Sequence, residues 1–255
     1  MRRLSADGQR IFTVTSAREL APEVGVSRSY VRELLHHLAK SGWVVRLRRG
    51  LYAIATTVPG VTPAHEFEVA MHLVAPAAIC CWSAFQYHGL TDQVPREVFV
   101  LTTSEGHVPW ARGGACAVGN AAYRFVQVKP ERFFGTETVW MGDARVNVTD
   151  LERTLLDGLN MPKYCGDFAE VLHAFELARD RLDLGRITDY GLRLGQATAK
   201  RLGWVLENTG TDAALLVRLL NAPITGYRTL DASGPRKGPY SRKWMVQENL
   251  PGRIV

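Results

Sequence analysis

Residues 15–54 read TSARELAPEVGVSRSYVRELLHHLAKSGWVVRLRRGLYAI, and the succession of caps, apolar stripes and glycines in this stretch decides the fold of the first part of the chain. Ser16-Ala17-Arg18-Glu19 has the pattern of a capping box, in which the serine hydroxyl takes a free amide of the first turn and the glutamate reaches back. A helix is expected from here through Leu20. It should stop near Gly25, whose missing Cβ permits the left-handed backbone of a tight turn. Ser27 is the expected N-cap of a second helix, along which Val31, Leu34, Leu35 and Leu38 recur at i, i+3, i+4 and i+7. At about 100° per residue that stripe needs a core, and Ser29, Arg32, Glu33, His36 and Lys40 point the other way, with Arg28 and Tyr30 on the flanks. After Gly42, Trp43-Val44-Val45-Arg46-Leu47 and Leu51-Tyr52-Ala53-Ile54 read as two strands joined by Arg48-Arg49-Gly50. The whole is a winged helix-turn-helix with a basic tip.

That arrangement suits duplex DNA. A recognition helix enters the major groove with its N-terminal residues at base edges, while flanking cations meet phosphates. Ser27, Arg28, Ser29, Tyr30, Arg32 and His36 are the candidate readers on the helix, and Arg46, Arg48 and Arg49 the phosphate or minor-groove contacts on the wing. The alternative is a small helical domain whose basic face is only solvated and whose hairpin meets protein.

Charge follows the same division. The net charge is +6, yet residues 1–60 hold ten Lys or Arg against four Asp or Glu, and the remaining chain 21 against 21. All of the excess lies in the first module, so long-range attraction to a polyanion belongs to that module. With 255 residues, 46% hydrophobic, the chain has material for two domains. The Pro- and Gly-punctuated segment Thr57-Val58-Pro59-Gly60-Val61-Thr62-Pro63 places the boundary, giving a DNA-binding domain over 1–58 and a second domain over 64–255. No apolar run of about 18 residues offers a membrane span and the start lacks the apolar centre of a signal peptide, so a cytoplasmic location is expected. Cys80, Cys81, Cys116 and Cys165 form no Cys-x-x-Cys and are expected as buried free thiols.

In chain order, a short helix is expected around residues 9–12, with Arg2 and Arg3 as further phosphate contacts. Beyond the boundary, residues 65–73 read as helix and 77–87 as a small-residue apolar run. Four strands are expected over 97–103, 123–128, 138–141 and 144–148, the last two across Gly142-Asp143. Thr149-Asp150-Leu151-Glu152 is a second capping box, and helices follow over 168–179, 187–194, 197–206 and 213–220. Residues 234–239 read as a loop and 241–247 as a last strand. The fold class is therefore α+β, with a winged helix-turn-helix ahead of a larger domain built of a mixed sheet and several helices.

Several short motifs resemble the AbiEi antitoxin family: Arg49-Gly50-Leu51-Tyr52 closing the wing, Ser83-Ala84-Phe85-Gln86-Tyr87-His88-Gly89-Leu90-Thr91, Val148-Thr149-Asp150-Leu151-Glu152-Arg153-Thr154-Leu155-Leu156-Asp157, and Arg201-Leu202-Gly203-Trp204-Val205-Leu206-Glu207. They run in order over nearly the whole chain. The resemblance implies a winged-helix domain joined to an antitoxin domain, binding inverted repeats in its own promoter and counteracting a nucleotidyltransferase-like toxin. It puts the DNA role on Ser27 to Arg32 and Arg46 to Arg49. Separately, a monomer or dimer in solution that is cooperative on double-stranded DNA is expected.

The same residue types also allow other chemistry. Asp150, Glu152 and Asp157 beside Arg153 could hold magnesium in a nuclease, although capping, the helix dipole and an i,i+4 pair account for them as structure. His88 near Cys80, Cys81 and Ser83 lacks a nucleophile elbow, and Gly113-Gly114 lacks the spacing of a phosphate loop. No enzyme activity, cofactor or metal is expected. A regulator sensing a small ligand, with no toxin, is the other alternative. Near the end Arg236, Lys237, Tyr240, Arg242 and Lys243, with Trp244, mix cations and aromatic rings and could meet RNA, DNA or an acidic protein, unless Trp244 is tucked into the core.

Overall fold

A computed structural model of the chain describes residues 10–55, 64–103 and 115–250. The expected domain boundary, the arginines at positions 2 and 3, and the glycines at 113 and 114 lie outside them. The first module consists of β1 (Ile11–Thr13), α1 (Val14–Leu20), a 3-10 turn (Ala21–Val24), α2 (Val31–Lys40), β2 (Val44–Arg48) and β3 (Leu51–Ile54). Its sheet runs β1-β3-β2, all antiparallel. This is a winged helix-turn-helix, with two corrections. The helix expected around residues 9–12 is, from Ile11, a strand on the wing's hairpin, because Ile11 and Phe12 are buried on opposite faces of the sheet, as strand periodicity requires. That strand hands over to α1 earlier than the capping box implied. Thr13, not Ser16, is the N-cap, its hydroxyl accepting the Ser16 amide at 3.0 Å.

The second region contains α3 (Glu66–Leu73), β4 (Ala78–Ile79), α4 (Cys81–Tyr87), β5 (Val98–Thr103), β6 (Ala115–Val118), β7 (Ala121–Val128), β8 (Thr136–Met141), β9 (Ala144–Thr149), α5 (Leu151–Asn160), α6 (Phe168–Ala178), α7 (Leu184–Leu194) and α8 (Gln196–Asn208). A 3-10 turn (Ala213–Leu216) leads into α9 (Val217–Leu220), and β10 (Arg228–Thr229), β11 (Tyr240–Ser241) and β12 (Val246–Gln247) close the described chain. Among the described residues the main sheet has six strands, not four, in the order β6-β7-β5-β4-β9-β8, with β5–β7 and β4–β9 parallel. The two extra strands, β4 and β6, are only two and four residues long with one β-branched side chain each, too short for a period to show in the sequence. The strand expected over 241–247 is a hairpin in which β11 and β12 are separated by a turn with Met245 at φ 52°.

Period-2 alternation explains how the layers stack. In β5 Phe99 and Leu101 face a helical core with Phe85, Leu155 and Phe175, while Val98 and Val100 face a second core with Phe67 of α3. Ile11, Leu47, Leu51 and Ala53 of the wing sheet enter that second core, and Phe12, Val44, Tyr52 and Ile54 from its other face pack on Val31 and Leu35 of α2. Both faces of the wing sheet are thus covered, and the winged module sits against the second region through a shared apolar layer. Arg10 and Asp143 add an ion pair across the same seam.

Candidate nucleic-acid interface

Gly25, at φ 72° and ψ 20°, turns the chain out of the 3-10 segment, and the Val26 amide returns to the Ala21 carbonyl at 2.9 Å. Ser27 then departs from its expected role. Its hydroxyl lies 2.6 Å from that of Ser29 and accepts the Ser29 amide at 3.3 Å, a local serine turn that occupies the group a helix cap would use. Arg28, Ser29 and Tyr30 therefore form an exposed turn ahead of α2, which begins at Val31. Along α2 the apolar stripe is placed as expected, Val31 and Leu35 buried, Leu34 and Leu38 half-buried, with Arg32, His36 and Lys40 exposed opposite. Glu33 lies one turn before His37, its Oε1 3.7 Å from the imidazole Nε2.

On the wing, Gly50 at φ 82° makes the turn with Arg49. The register slips between Arg46 and Arg48, and this bulge sends Leu47 into the shared core. Arg46 stands opposite Tyr52, on the α2 side of the sheet, and is exposed, as is Arg49. Arg48 is the last residue of β2 rather than part of the turn, opposite Leu51 and half-buried. Among the described residues none of Arg28, Arg32, Arg46 and Arg49 is ion-paired. Exposed guanidinium groups on α2, its leading turn and the wing present donors suited to phosphates and guanine edges.

The carboxylates around α5 have structural partners. Asp150, not Thr149, caps α5, Oδ1 accepting the Arg153 amide at 2.8 Å and Oδ2 the Tyr190 hydroxyl at 3.0 Å. Glu152 accepts from the Asp183 amide and from Arg186 instead of reaching back to the cap. Arg153, 1% exposed, donates from Nε to Asp157 Oδ1 at 2.8 Å and from Nη1 to the Arg132 and Phe134 carbonyls, each at 2.8 Å. Burial pushes the Asp157 carboxyl up to about 6. These carboxylates point to separate partners, and no group of three or more potential metal ligands occurs among the described residues. His88 Nε2 lies 2.8 Å from the Thr149 carbonyl, tying α4 to the end of β9. Cys80, Cys81 and Cys165 are buried free thiols, and hydrogen bonds from Cys165 and Cys80 bring Cys81 down to about 5. Cys116 is only half-buried, because its strand β6 is an edge of the sheet.

Comparison with known proteins falls on the same module. Residues 1–55 match the model of a family described as transcriptional regulator, AbiEi antitoxin. The N-terminal module is an AbiEi module. Its family gives the general reading of a DNA-binding antitoxin that regulates transcription, and the match ends at the close of β3. The curated proteins hold no match to the chain. Among solved structures, the RV2827C protein from Mycobacterium tuberculosis superposes with a TM-score of 0.69 over 96% of this chain and 88% of that one, at 13% identity. That likeness is one of fold, and it extends from the AbiEi module through the second region. Among the described residues no helix is long and apolar enough to cross a membrane.

Proposed function

We propose that this chain is an antitoxin that represses its own toxin–antitoxin operon by binding inverted repeats in the promoter, and that it counteracts a nucleotidyltransferase-like toxin. The observation that carries this reading is the group of exposed, unpaired guanidinium groups of Arg28, Arg32, Arg46 and Arg49 on a winged module of AbiEi type. Ser27 to Tyr30, Arg32 and His36 meet base edges and nearby phosphates in the major groove, and Arg46, Arg48 and Arg49 hold the backbone from the wing. The division of the chain into a DNA-binding domain over 1–58 and an antitoxin domain over 64–255 is part of this proposal. Two copies occupy the two half-sites, since a palindromic operator mirrors a twofold arrangement of protein.

The test is an anisotropy titration of the full chain against the DNA upstream of its own gene and against a scrambled duplex, at two salt concentrations. Tighter, cooperative and salt-sensitive binding to the upstream DNA is expected. Equal binding to both duplexes would remove autoregulation, and expression of a neighbouring nucleotidyltransferase with and without this chain tests the antitoxin half.

A further inference from the structure

The last three strands form a separate small sheet, with β12 between β10, which is parallel to it, and β11, which is antiparallel. This pairing brings Tyr227, just before β10, against Tyr240 of β11, with ring centroids 4.7 Å apart and planes at 63°. Both rings remain exposed, by 39% and 58%. Arg228 of β10 donates from Nη1 to the Tyr227 carbonyl at 3.1 Å. Arg242 follows β11, and Arg236 and Lys237 sit in the loop between β10 and β11. Arg236, Lys237 and Arg242 are exposed, and none is ion-paired among the described residues. The carboxylate of this loop, Asp231, accepts the Ser233 amide at 2.7 Å, and the neighbouring Lys243 pairs with Glu207.

The frame beneath is closely packed and hydrogen-bonded. Trp244, an aromatic ring that could have joined this surface, is 1% exposed and packs on Gly203 of α8, where a Cβ would come within 2.0 Å of its ring. Asn249 is also buried. It accepts the Asp231 amide at 2.8 Å and donates to the Asp231 carbonyl at 3.0 Å and the Pro235 carbonyl at 2.9 Å, so one side chain clamps both ends of the loop's first half. Gln247 Nε2 donates to the Gly238 carbonyl at 3.3 Å and holds the second half. The loop's conformation is thus largely set before any ligand arrives, which lowers the cost of binding.

We propose that this sheet is a second nucleic-acid site that takes single strands, with the phosphodiester chain along Arg236, Lys237 and Arg242 and an unpaired base stacked on the Tyr227–Tyr240 pair. Three exposed cations without ion-pair partners select a polyanion. The exposed aromatic pair favours nucleic acid over an acidic protein, because every base offers a π-face and a carboxylate does not, and it favours single strands because bases in a duplex are already stacked. The proposal stands apart from the winged module, and its residues are distinct.

The experiment is anisotropy of the full chain with labelled oligouridine RNA and oligothymidine DNA of about 12 nucleotides. Polyglutamate and a scrambled duplex serve as competitors, and thermal melts verify the fold of each variant. Arg236→Ala/Lys237→Ala/Arg242→Ala is expected to weaken single-strand binding about tenfold or more and to lower its salt dependence. Tyr240→Ala should weaken it several-fold while Tyr240→Phe, which keeps the stacking face, restores it. Arg32→Ala should leave it unchanged. The RNA and DNA arms show which strand is preferred. The proposal is overturned by absence of single-strand binding, by loss with Arg32→Ala and not with the triple variant, or by polyglutamate competing equally while Tyr240→Ala has no effect. Failure of operator binding would leave these readings intact, so the two proposals are separable.

Discussion

Arg153 shows how much one side chain can settle. Its guanidinium joins α5 to the loop before β8, meeting one carboxylate and two backbone carbonyls and lying 4.7 Å from the Phe134 ring centroid. Arg153→Ala strands a buried carboxylate and two carbonyls and is expected to cost about 3–5 kcal/mol in urea unfolding. Arg153→Lys should recover little of that, since an ammonium cannot span three acceptors in one plane. Asp157 adds a pH dependence. Its carboxyl sits at about 6 in the fold against 3.8 ordinarily, so the folded state holds a proton that the unfolded chain releases. Stability from this group is full below pH 3.8 and is lost as pH rises through about 6; Asp157→Asn should flatten that part of the stability profile measured by urea titration. The i,i+4 spacing of Arg153 and Asp157 was legible in the sequence, but the burial that makes the pair matter was not. On the DNA side Arg32→Ala is expected to cost about 1–3 kcal/mol and to relax base preference, whereas Arg49→Ala should weaken all sequences alike and reduce the salt slope, both read by anisotropy.

At the scale of elements, helix starts are where local pattern and structure part company. Two Ser/Thr-x-x-Glu boxes each predicted a cap, and in each case the cap lies at a different residue, Thr13 for α1 and Asp150 for α5. The reason is the preceding strand. Where β1 ends determines which hydroxyl faces the free amides of α1, and β9 carries the Thr149 side chain inward, where its hydroxyl lies 2.7 Å from that of Thr154. Thr13→Ala is therefore expected to cost about 1 kcal/mol and Ser16→Ala less than about 0.5 kcal/mol in thermal unfolding, the reverse of the order implied by the capping box. Apolar stripes are independent of such neighbours, since Val31 and Leu35 need a core whatever surrounds them. The Arg201 to Glu207 motif gains a physical meaning here: Arg201 Nε donates to the Thr229 carbonyl, Trp204 Nε1 to Glu248, and Glu207 accepts from Lys243 and from Trp244 Nε1 at 2.7 Å. One face of α8 thus holds the terminal sheet. Gly203→Ala should displace Trp244, with a loss of about 1–3 kcal/mol and a red-shifted tryptophan emission.

For the whole molecule, the shared apolar layer couples the winged module to the second region. A fragment of residues 1–60 would leave Ile11, Leu47, Leu51 and Ala53 facing water on one side of its sheet. It is expected to melt well below the full chain in calorimetry, or to associate, and to bind DNA more weakly for that reason alone. Leu47→Asp in the full chain should reproduce part of this by burying an unpaired charge, at a cost of several kcal/mol. Local sequence determined the class of each long element, the apolar face of α2, the basic excess of residues 1–60 and the order helix, turn, helix, wing, because these rest on side-chain period and on the backbone preferences of a few glycines and caps. Tertiary structure alone decided that the wing has two buried faces, that short β4 and β6 complete the main sheet, that Trp244 is core, and that Tyr227 meets Tyr240. Those outcomes depend on contacts between segments far apart in the chain, and no local period or propensity encodes which distant surface will exclude the water.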